Sequence, residues 1–143
     1  MKYRKLAVLI VVGILLAALT FSGCSAGRFS LSDRDIVSVE KQDGEKVKIL
    51  WTDVYQQDGK TWACGVLRQP KSATSPVKTH LDIRILAPDG SKYYEGFSKA
   101  LYVPPSRFGK SPDWKRFKVP LPKELPKGSQ ITIIVHSAGH ETI

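Results

Sequence analysis

The 143-residue sequence predicts an all-β domain, a single antiparallel β-sandwich of about seven strands, behind an N-terminal signal segment. Three observations carry this expectation. Beyond residue 35 no helical period of useful length occurs, short runs of alternating apolar and polar residues take its place, and turn-forming Gly, Pro and Asp separate them.

The first element is the signal. A basic start (Lys2, Arg4, Lys5) precedes 16 uncharged, mostly apolar residues from Leu6 to Phe21, and small residues follow. A membrane-spanning helix needs about 20 apolar residues, so the run suits a cleaved signal core. Phe21, Ser22, Gly23 and Cys24 resemble the lipobox of bacterial lipoprotein precursors, with Phe21 where leucine is usual. The resemblance implies cleavage after Gly23, a diacylglyceryl group on the Cys24 thiol and often acylation of the new amino terminus. More than one acyl chain is what stable anchoring takes. Ser25 and Ala26 follow, with no Asp directly after the cysteine. In a Gram-negative host the same resemblance then favours the outer membrane, facing the periplasm. The expected organisation is a signal peptide over 1–23, a lipidated cysteine and flexible tether over 24–35, and the sandwich over 36–143.

The expected strands are 36–41, 47–55, 60–68, 79–86, 92–102, 115–119 and 130–137. In the second, Val47, Ile49, Trp51 and Tyr55 share a face broken only by Asp53. Asp58-Gly59 joins it to the third as a hairpin. In the third, Trp62, Cys64 and Val66 alternate onto one face. The fourth sets Leu81, Ile83 and Ile85 against His80, Asp82 and Arg84, the pattern of a half-buried strand. The "APDG" turn at 87–90 leads into the fifth strand, a prolyl loop spans 103–114, and a β-branched last strand follows the prolines of "VPLPKELPKG".

The hairpin "VKILWTDVYQQDGKTWACGVL", the "LDIRILAPDG" strand and turn, and the "LPKGSQITIIV" corner are similar to immunoglobulin-like and fibronectin type III-like domains, over roughly residues 36–137. The Cys, Trp and Cys spacing of true immunoglobulin domains is absent. Small proteobacterial lipoproteins of unassigned function are similar too. Such sandwiches host many functions, so the likeness implies a fold and no activity.

Lys and Arg number 22 against 13 Asp and Glu; removal of the signal would leave 19 against 13. Export separates such a domain from nucleic acid, so its expected anionic neighbours are head groups, lipopolysaccharide or acidic wall polymers. Of the two cysteines, lipidation would consume Cys24 and leave Cys64 unpaired, expected as a buried core residue.

Catalytic motifs are poorly represented. "GFSKA" at 96–100 lacks the second glycine of a hydrolase elbow, "SVEK" and "SPVK" lack the companions that give Ser-x-x-Lys its meaning, and "HETI" ends before an HExxH helix could form. The expectation is therefore no enzyme and no cofactor beyond the lipid. Its candidate contact surface is the basic and aromatic segment 104–118: Arg107, Lys110, Trp114, Lys115, Arg116 and Lys118. Its partner would be an anionic envelope polymer or envelope protein, in addition to the membrane. If the fourth and last strands were neighbours, His80 and His136 would converge. A copper or zinc site would then take a third ligand, His140 or Asp82. The sequence reading is thus an envelope lipoprotein acting as a non-catalytic binding or accessory module, with a periplasmic metal-binding protein as the alternative.

Overall fold

A computed structural model of the chain describes residues 27–106 and 113–137, so Cys24, Arg107, Lys110 and His140 lie outside the described residues. Among the described residues nine strands form: β1 Phe29–Ser30, β2 Val37–Gln42, β3 Lys48–Gln57, β4 Lys60–Arg68, β5 Val77–Leu86, β6 Lys92–Phe97, β7 Leu101–Val103, β8 Trp114–Leu121 and β9 Ser129–Ser137. They make two sheets, β1-β3-β4-β8 and β2-β9-β5-β6, with β7 paired to β5 beside β6. No helix occurs among the described residues. The protein is an all-β sandwich, as its alternation predicts.

The core lies between the sheets. Leu81, Ile83 and Ile85 of β5 and Ile131, Ile133 and Val135 of β9 meet Val54, Ala63, Leu67, Phe117, Val119 and Leu121 of the facing sheet. Alternation on β5 and β9 places their polar positions on the outer surface. Asp58 and Gly59 adopt φ of 52° and 69°, the two left-handed positions that a two-residue hairpin of this twist requires.

Four features depart from expectation. Residues 27–35 are not a free tether: β1 pairs with β3 and Leu31 is buried, because the apolar Phe29 and Leu31 find a place against the sandwich. The chain then crosses to the other sheet through Asp35, at a left-handed φ of 54°. There β2 runs parallel to β9, so the pairing is mixed. Antiparallel order is enforced only where a tight turn joins neighbours, and these two are far apart in sequence. The expected strand 92–102 divides into β6 and β7, since Ser98 turns its hydroxyl to the backbone N–H of Leu81 (2.9 Å) and donates to the Lys99 carbonyl (2.8 Å).

The fourth departure is in β3. A bulge between Ile49 and Trp51 shifts the register by one residue, so Ile49 and Val54 point into the core while Trp51, Asp53 and Tyr55 point out. The bulge is supported. Lys41 donates to the carbonyls of Ile49 (3.2 Å) and Leu50 (3.0 Å), and the Ile49 N–H donates to Asp43 (2.8 Å).

Candidate functional site

Strand β8 alternates from Arg116 onward. Phe117, Val119 and Leu121 are buried, whereas Trp114, Arg116, Lys118 and Pro120 are exposed on the outer face. Its register sets Arg68 opposite Trp114, Val66 opposite Arg116, Cys64 opposite Lys118 and Trp62 opposite Pro120. The β3–β4 register adds Trp51 beside Val66, Asp53 beside Cys64 and Tyr55 beside Trp62. All three tryptophans of the protein therefore lie on one outer sheet face, together with Tyr55, Arg68, Arg116 and Lys118.

Cations cover the rings. Arg116 lies 5.1 Å from the Trp114 ring centroid, Lys118 lies 4.3 Å from Trp62 and 5.7 Å from Tyr55, and Arg28 lies 3.9 Å from Tyr55. Trp51 and Trp114 keep 46% and 37% of their surface exposed, enough to stack on a ligand. Of the sequence candidates, Trp114, Arg116 and Lys118 share this face. Lys115 is exposed but stands opposite the core residue Leu67, on the other side of the strand. Arg68, which the sequence reading did not single out, forms an ion pair with Asp113.

At the far edge of the face, Asp53 accepts hydrogen bonds from Ser30 and Ser32 (2.7 Å each) and from Arg28. Burial alone would push its carboxyl up, but these donors outweigh burial and hold it below the usual carboxylate range. A depressed carboxylate pKa contributes stability that is complete above about pH 4 and is lost as pH falls through the native-state value. Urea titrations at stepped pH are therefore expected to show stability falling through that acid window, with a shallower fall in Asp53→Asn. An equal slope in the two proteins would refute the assignment. Its one sequence signal was an acid interrupting an apolar face.

Cys64 is buried, as expected, but on this outer face and not between the sheets. Arg28 approaches its sulfur at 3.2 Å, yet burial prevails and pushes the thiol up, so it stays protonated. An open groove of about 630 Å³ borders the face beside Trp51, with Ser32, Asp33, Val39, Lys41 and Leu50 in its walls.

The opposite sheet carries a second cluster. His80 of β5 pairs directly with His136 of β9, their rings stacked 5.3 Å apart at an interplanar angle of 18°. His80 Nε2 lies 3.4 Å from one oxygen of Asp82 and His136 Nε2 lies 3.0 Å from the other. The two strands are neighbours, and the convergence conditional on that pairing occurs. Among the described residues, no group of three or more His, Cys, Asp or Glu side chains is placed to hold a metal ion.

Comparison of the chain with protein-family models, curated proteins and solved structures finds no match. The residues themselves carry the functional argument.

Proposed function

We propose that this chain is an envelope lipoprotein anchored through Cys24, whose sandwich is a non-catalytic module that binds an anionic envelope glycan on the outer face of β3, β4 and β8. The observation that supports this most is the gathering of Trp51, Trp62 and Trp114 with Arg68, Arg116 and Lys118 on one face. Tryptophan is costly to leave at a surface, and its flat ring stacks on the apolar faces of sugars while neighbouring cations meet their acidic groups. Anchor geometry supports the same reading. Three residues lie between Cys24 and Arg28, which already sits on Tyr55 at the edge of this face. The four Cα-to-Cα steps from Cys24 to Arg28 reach at most about 14 Å, so a lipidated Cys24 would hold the face near the membrane surface.

The full chain, expressed with its signal, tests both halves. The wild type is expected in the membrane fraction with acyl mass on a chain beginning at Cys24, and Cys24→Ala is expected to lose both. On the anchored protein, purified acidic envelope polysaccharide should quench or shift tryptophan fluorescence. The double charge reversal Arg116→Glu, Lys118→Glu should weaken that binding by at least about tenfold, with near-UV circular dichroism retained and salt having the same effect. Binding only to anionic lipid vesicles, or binding indifferent to the reversal, would refute the glycan assignment.

A further inference from the structure

The glycan reading uses the outer face of β3, β4 and β8 and leaves the edge of that sheet unused. We propose that this edge, with the apolar groove beside it, binds an extended peptide segment of a partner protein in which acidic and apolar side chains alternate, added as a further strand on β8.

The edge comes from the topology. β8 closes the order β1-β3-β4-β8, and among the described residues it pairs with β4 alone. An edge strand keeps a row of backbone N–H and C=O groups with which another chain can pair. Pro120 has no N–H to give, so the expected ladder runs from Trp114 to Val119. Beside the edge, Phe97, Leu101, Phe117 and Val119 line a groove of about 490 Å³, with Lys99 and Lys118 in the same walls. The groove lies where Ser98 divides the facing edge into β6 and β7. Phe97 is 80% exposed there, an apolar surface for a partner to cover.

The pleat sets the partner's pattern. Phe117 and Val119 face the core, whereas Arg116 and Lys118 face out. Neighbouring strands share their pleat, so side chains of an added strand that stand beside Phe117 and Val119 enter the groove, and those between them stand beside Arg116 and Lys118. The first set must be apolar and the second acidic. Asp113, just before β8, already pairs with Arg68, and Glu95 of β6 pairs with Arg84 and Lys92, so these acids do not neutralise the edge. A second copy of β8 fits poorly, since it would bring Lys115, Arg116 and Lys118 against their own equivalents.

Calorimetric titration of the full chain in neutral lipid nanodiscs with a synthetic peptide of about six residues, alternating Glu and Val, tests the site. One saturable equivalent is expected, with amide hydrogen exchange slowed in β8. Ser in place of Val should weaken binding by at least about tenfold, and so should the exposed double reversal Lys99→Glu, Lys118→Glu, with near-UV circular dichroism retained. Two peptides methylated on alternate backbone nitrogens supply a measurement that needs no variant. One should lose binding and the other keep it, because only every second N–H of a strand faces a given neighbour. Equal binding by both would mean a site for side chains alone, open to any amphipathic anion, and would overturn the proposal. So would the absence of saturable binding, protection confined to other strands, or a chain that dimerises through β8 without peptide.

Discussion

Gly65→Ala is expected to destabilise the sandwich by about 3 kcal/mol, the upper part of the range for overpacking a tight interior. A Cβ at this position would stand 2.3 Å from the Trp51 carbonyl oxygen and 2.6 Å from Cζ of Phe117. Neither obstacle yields cheaply. The carbonyl belongs to the backbone next to the β3 bulge, and Phe117 is buried in the core. Gly65 sits opposite Phe117 in the β4–β8 register and opposite Thr52 in the β3–β4 register. The missing side chain thus lets the bulge curl over β4 and lets the phenyl ring lie under it. Urea denaturation of Gly65→Ala should show a lower midpoint with an unchanged slope. A wild-type midpoint would mean that the strands separate freely at this point. Because the bulge also turns Trp51 outward, the same variant should reduce binding at the aromatic face, a loss of geometry with no loss of charge.

Ile133→Ala should cost about 4 kcal/mol, a large part of the 5–15 kcal/mol that holds a typical domain together. Ile133 is fully buried on β9, a strand flanked by β2 and β5, and its backbone partners are Lys41 and Ile83. Truncation removes three carbons from a core closed by both sheets and leaves a cavity with little means of collapse. Its neighbour is the control. Ile134 points to the outer face between Gln42 and Asp82, and Ile134→Ala should cost about 1 kcal/mol or less. Thermal or urea unfolding of the pair reads out the alternation directly. Equal losses would mean that β9 is not one-sided and that His136 does not stand where the register places it.

Much of the fold was legible because period-two patterning responds to a single fact, that one side of each strand meets water. In β5 that pattern ran without interruption from His80 to Ile85 and in β9 only Ile134 broke it, and the structure buries Leu81, Ile83, Ile85, Ile131, Ile133 and Val135 as the alternation requires. The Asp58-Gly59 hairpin was legible for an equally local reason, the left-handed dihedrals that those residues tolerate. In β3 the pattern misled. Val47, Ile49, Trp51 and Tyr55 alternate in sequence, but the extra residue at the bulge divides them between two faces, and a one-residue shift moves every later side chain across the sheet. Of the contact candidates, Trp114, Arg116 and Lys118 were visible as a basic and aromatic cluster in one segment. Arg68, Trp51 and Trp62 join them from other strands, a relation that no local spacing carries.

The class of the domain, the core faces of its regular strands and the tight hairpin turn all follow from residues within a few positions of one another. That β2 runs parallel to β9, that residues 27–35 join the sandwich, that the three tryptophans share a face and that His80 meets His136 come from contacts between distant parts of the chain. Each of these depends on which strands become neighbours. That choice follows from how two sheets close over a common core, through burial summed along the whole chain.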